Sequence, residues 1–243
     1  MKIADRIREN AKEIGQHRPI VIGFLGDSIT QGCFEIYRTG EASLETEFRS
    51  YEAYHQKLKK ILEEVFPNVP VIIINAGISG NTANAGKERI ERDILAFSPD
   101  IVVVCFSLND VNRGIKGVGE YEKALESIFC ELRNRNVETI FMTPNMMGTR
   151  AVAEEKDPYI YSVLETVTSL QREGVMDIYM AKTKQVCEKY HIPVCDCYGK
   201  WKKLEENGAD VTRLLANRVN HPTEQMHWLF AYSLFEMMMG FWK

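Results

Sequence analysis

Apolar residues along this chain form short uninterrupted runs, separated by longer stretches in which they recur every three or four positions. The first run lies in PIVIGFLGDSITQG, Pro19 to Gly32. It is too short to span a membrane and reads as a strand buried on both faces, stopping abruptly at Gly-Asp-Ser. Further runs predict strands at Val71–Asn75, at Ile101–Phe106 after the Ser-Pro-Asp breaker, at Glu138–Thr143 before Pro144, and at Ile192–Cys195. Between them, helical spacing covers Ser50 to Phe66, where Tyr51, Tyr54, Leu58, Ile61, Leu62 and Val65 share a stripe closed by Pro67. Other helices are expected from the turn AGISGNT to about Phe97, from Glu120 to Arg133, and up to Tyr190 with an interruption near Gly174. Helical turns are expected at Trp201–Glu206, and a last helix from the His221-Pro222 break to about Met239. Ile3, Ile7 and Ile14 stand among charges and suggest a leading helix within residues 1–17 that packs onto the rest. Cys33 to Arg49 is polar and aperiodic and reads as a long loop, as does Asn145 to Pro158.

Strand alternating with helix is the pattern of a parallel sheet covered on both faces. Right-handed crossovers and short connections then favour a three-layer α/β/α sandwich with a flavodoxin-like five-stranded sheet, order 2-1-3-4-5. With 243 residues, 45% of them hydrophobic, one domain over 1–243 suffices. The 30 basic and 34 acidic residues give a formal charge of −4, no footprint for nucleic acid or anionic lipid. The start lacks the apolar core of a signal peptide and no long apolar stretch follows, so a cytoplasmic protein with no membrane partner is expected. Six cysteines lack zinc-finger or CxxC spacing, and reduced thiols are the favoured reading for Cys33 and for the neighbours Cys195 and Cys197.

Polar chemistry gathers at the carboxyl ends of three strands, where open α/β sheets bind ligands. Ser28 follows the first strand, Gly80 and Asn81 the second, and Asn109 the third; His221 stands before the returning helix. A nucleophile, a base and donors for an oxyanion are what acyl transfer needs. Each also has a plainer role. Asp27 and Ser28 suit a turn or helix cap, Gly80 a positive φ, and Asn109 and Asp110 a cap on the segment that follows. His55 lies on the apolar stripe of its helix and reads as packed, and His17, His191 and His227 have no motif around them.

Taken together, these segments resemble the GDSL-type esterases of the SGNH hydrolase superfamily. GDSIT at 26–30 matches the first block, NAGISGNT at 75–82 the second, SLND at 107–110 the third, and His221-Pro222 the last. The resemblance implies Ser28 as nucleophile, His221 as base, and Gly80 and Asn109 as oxyanion donors. It implies an esterase needing neither metal nor organic cofactor, acting on a small soluble ester such as an O-acetylated sugar. Alternatives are a thioesterase or lysophospholipase, or a non-catalytic ligand-binding domain on the same scaffold. One position departs: where the family carries its triad aspartate, three residues before the histidine, this chain has Arg218. An arginine cannot accept a hydrogen bond. The expectation is a neutral acceptor for His221, a carbonyl at position 218, with Asn217, Asn220, Asp210 and Asp196 as alternatives. The apolar end Met237–Trp242 is expected to dock within the monomer or to form a homodimer contact.

Overall fold

The computed structural model describes residues 1–40, 44–152 and 157–241. Five strands form one parallel sheet: β1 (Ile20–Gly26), β4 (Val71–Gly77), β5 (Ile101–Cys105), β6 (Glu138–Met142) and β7 (Val194–Cys195), in the order β4-β1-β5-β6-β7. Counting parallel strands alone, that is the expected 2-1-3-4-5 winding. Every residue of β1 and β5 is buried, because β1 sits between β4 and β5 and helices cover both faces. That order puts β4 at the sheet edge, and there its Ile72 is 47% exposed, so the run is not enclosed along its whole length.

One helical layer contains α1 (Lys2–Lys12), α3 (Tyr54–Val65) and α9 (His227–Met239), which pack together; the other contains α4 (Ala83–Asp93), α5 (Val118–Asn134) and α7 (Val175–Tyr190). Ile3 and Ile7 of α1 are buried and its first amides donate to the Glu138 carboxylate, which suits an anion at a helix N-terminus. Ile14 lies beyond this helix and is exposed. Gly174, at φ 74°, separates α6 (Pro158–Arg172) from α7, the break expected there. The helix near Trp201 is longer than predicted, α8 (Cys197–Glu206), and α9 begins at His227, six residues after the expected break. Part of the 145–158 loop and Trp242 lie outside the described residues.

The largest correction concerns Cys33 to Arg49. The segment forms an antiparallel hairpin of β2 (Cys33–Arg38) and β3 (Leu44–Phe48), pairing Cys33 with Phe48 and Tyr37 with Glu45. Most of β2 and β3 is solvent-facing and polar, so no apolar run announces it. Its register shifts between Cys33 and Ile36, a bulge that takes residues 34 and 35 out of the ladder.

Candidate active site

The chain turns from β1 into a one-turn helix, α2 (Ser28–Gln31), with Ser28 at its first position. Asp27 caps it, its Oδ1 accepting from the Ile29 amide at 3.0 Å, and Gly32, at φ 94°, closes it by donating to the Ser28 carbonyl. The helix lies directly on the strand ends, which demands glycine there. A Cβ on Gly26 would collide with Thr30 and the Cys105 carbonyl, and one on Gly77 with the backbone of Gln31. Asp27 is wholly buried, and loss of solvation pushes its carboxyl up to about 7 against the Ile29 bond.

His221 reaches Ser28 from the far end of the chain, with Nε2 3.0 Å from Oγ. Its Nδ1 lies 3.0 Å from the main-chain carbonyl of Phe34. A carbonyl only accepts, so Nδ1 carries the proton and Nε2 offers its lone pair to the Ser28 hydroxyl. Burial lowers the imidazole to about 4, and the Phe34 bond opposes that shift in part. The loop before the ring is wound around Asn217, whose Oδ1 accepts from the amides of Val219, Asn220 and His221. Asn145 ties the Asn220 carbonyl from the end of β6 at 2.8 Å.

The acceptor is therefore neutral, but it is not the one expected. Arg218 adopts φ 57° and turns its guanidinium back onto the carbonyls of Arg213 and Leu215. Asp196 is engaged by Thr143, Lys184 and the Gly199 amide, and Asp210 by Arg150. Among the described residues the His221 ring bonds only to Ser28 and Phe34. The hairpin, unseen in the sequence, supplies what the arginine position does not.

On the other flank, Gly80 sits in a turn at φ 76°, and among the described residues nothing accepts its N–H. A Cβ there would meet nothing within 4 Å, so the turn faces open space. The turn is tied down on several sides. Ser79 donates to the Gln31 side chain at 2.6 Å, Ile78 to the Gly26 carbonyl at 3.2 Å, and the Asn109 amide to the Asn81 carbonyl at 2.9 Å. That bond leaves the second Nδ2 hydrogen of Asn109 uncommitted. Arg89, 7% exposed, knits the strand ends together: it donates to the carbonyls of Gly26 and Ala76 and to Asn81 Oδ1. Asn109 thus does not cap its own segment, and Asp110 caps α4 instead, accepting from Ala83 at 3.0 Å. Burial pushes that carboxyl up to about 6. His55 is packed, as expected, against the Thr30 carbonyl, whereas His227 accepts from the Tyr54 amide beneath the hairpin. Sequence reasoning missed Phe34 and Arg89. A main-chain acceptor has no residue signature, and a buried arginine reads as surface until its partners are known.

The geometry is that of a hydroxyl with an adjacent neutral imidazole at the switch point of a parallel sheet. The model of the GDSL-like lipase/acylhydrolase family matches residues 24–229. An acetylxylan esterase of Geobacillus stearothermophilus is 35% identical over 175 residues, 68% of this chain and 70% of that one. The crystal structure of an acetylxylan esterase from the same organism superposes with a TM-score of 0.65 at 28% identity, covering 91% of this chain and 94% of the other. A second acetyl xylan esterase, AlAXEase, shares the fold at a TM-score of 0.66 and 20% identity, over 90% and 99%. The chain belongs to the GDSL-like lipase/acylhydrolase family. It is a carboxylic ester hydrolase of that family.

Proposed function

We propose that this protein removes short acyl groups, acetyl foremost, from a carbohydrate-like alcohol by two-step acyl transfer through Ser28. The observation that carries the reading is the bond from Ser28 to a histidine whose other nitrogen is held in the donor tautomer. Nε2 of His221 takes the hydroxyl proton as Oγ attacks the ester carbonyl carbon. The oxyanion is met by the N–H groups of Ser28 and Gly80 and by the Asn109 side-chain amide. Collapse expels the alcohol, which takes the proton from His221. Water then gives a proton to His221 as it attacks the acyl-enzyme, and His221 passes that proton to Ser28 Oγ as the acyl–Oγ bond breaks and the acid leaves. Acetyl on a sugar is favoured by the relatives, which are named acetylxylan esterases.

The test is hydrolysis of a chromogenic acetyl ester by the wild type and by Ser28→Ala, followed by a series from acetyl to decanoyl and by acetylated xylo-oligosaccharides. Activity that rises with chain length and spares the sugar ester would overturn the substrate class; activity that survives in Ser28→Ala would overturn the mechanism. We further propose a single domain acting in the cytoplasm. All six cysteines are free thiols, the state a reducing compartment maintains, and no helix among the described residues is long and apolar enough to cross a membrane. A homodimer through α9 and the residues just after it is supported by an apolar outer side, where Tyr232 is 55% and Phe241, beyond the helix, 66% exposed beside Trp228 and Phe235. Light scattering giving the monomer mass at high concentration would remove that dimer.

A further inference from the structure

The bond that orients His221 ends on a group that its own strand does not hold. Phe34 lies in the bulge of the hairpin, outside the β2–β3 ladder. Its carbonyl is therefore free to accept from His221, and its position must be set by something else. The Phe34 side chain is fully buried and gripped. The guanidinium of Arg49 lies 4.5 Å from its ring centroid, and the His227 ring stands 5.0 Å away, tilted at 44°.

Arg49 closes the hairpin, its amide donating to the Gly32 carbonyl at 2.8 Å. Its side chain also stands 3.5 Å from Glu47 on β3 and 3.5 Å from Glu224, three residues beyond His221. Nε is buried without a hydrogen-bond partner, so the guanidinium is committed to the ring face and two ion pairs rather than to a directed fork. One cation thus touches the ring that fixes the acceptor and the segment that carries the donor.

We infer that Arg49 is a positioning residue for the hydrolytic reaction: it staples the His221 segment to the hairpin and fixes the Phe34 carbonyl that holds the histidine tautomer. The inference rests on the reading of His221 as the base. A carboxylate would attract the imidazolium over a range of geometries, whereas a carbonyl dipole acts only when aligned. In this chain the alignment depends on Arg49.

The test compares Arg49→Met, Arg49→Lys, Phe34→Leu and the Arg49→Met/Phe34→Leu double variant on a chromogenic acetyl ester, with Ser28→Ala as reference. Arg49→Met is expected to lower kcat about tenfold or more with KM within about twofold, because positioning of the base acts on the transition state. Arg49→Lys, which keeps a cation over the ring, should recover most of the loss. Phe34→Leu keeps the carbonyl and removes the ring. If Arg49 acts through that ring, the double variant is no slower than the slower single one. Wild-type kcat in Arg49→Met, a change confined to KM, or losses that multiply in the double variant would overturn the inference. Should Arg49→Met fail to fold, the surface variant Glu224→Gln carries the test, with a kcat loss of about threefold expected and no loss overturning it. Ser28→Ala must be inactive in the same assay. If it is active, the reading of the site fails first; if it is inactive while the Arg49 variants are unimpaired, only the inference fails.

Discussion

The two flanks of Ser28 are built on different principles. On the oxyanion flank, side chains do the tying: Gln31, Asn109 and Arg89 bind the turn that presents Gly80, and Arg89 also gathers the strand-end carbonyls beside it. On the histidine flank, the decisive contact is main-chain, the Phe34 carbonyl on Nδ1, and side chains act one step behind it. A flank built of motif residues has its parts at fixed places in the sequence. A flank built on a carbonyl depends on how two distant segments fold against each other, here residues 187 apart.

The comparison breaks most severely at its shared centre. Ser28→Ala and His221→Ala should each lower kcat at least about ten-thousandfold on an acetyl ester, since nucleophile and base act as a unit. A loss for His221→Ala of tenfold or less would detach the histidine flank from the chemistry. Asn109→Ala should cost about a hundredfold in kcat with KM little changed, because an oxyanion donor acts in the transition state. If KM rises alone, Asn109 binds substrate instead.

Acid pH sharpens the contrast next. His221 must be neutral to take a proton, and burial without a facing carboxylate lowers it from 6.5 to about 4. The sign follows: kcat/KM should hold as pH falls through 6.5 and drop only as the imidazole protonates near 4. A limb near neutrality that persists in Asp27→Asn would place an anion on the ring. The profile is best taken in Asp27→Asn as well, because the neighbouring carboxyl, pushed up to about 7, gains its charge in the neutral range. The smallest effect belongs to the carboxylates that do not reach His221. Asp196→Asn and Asp210→Asn should each stay within about tenfold of wild-type kcat, against the far larger loss when a true triad carboxylate is removed.

What was legible in the sequence follows the same divide. The apolar runs of β1 and β5 announce buried parallel strands, and the residues at their ends stand where the winding order puts them. The winding order puts β4 at the sheet edge, but its run looks as apolar as the others and does not announce that Ile72 is exposed there. The missing carboxylate at Arg218 was plain; its substitute was not, because every residue carries a carbonyl and only the fold selects one. The hairpin was hidden for a related reason. Most of its residues face solvent, and their worth lies in what the backbone presents at the bulge.

A main-chain acceptor also changes how the site meets mutation. A triad aspartate can be erased by a single base change, whereas exchanging the side chain at position 34 leaves its carbonyl in being. The vulnerable events are those that shift the backbone at the bulge: a residue gained or lost between Gly32 and Ile36, which would point another carbonyl, or none, at His221. Among descendants of this gene, the length of that segment should therefore be kept more strictly than the identity of the residues in it.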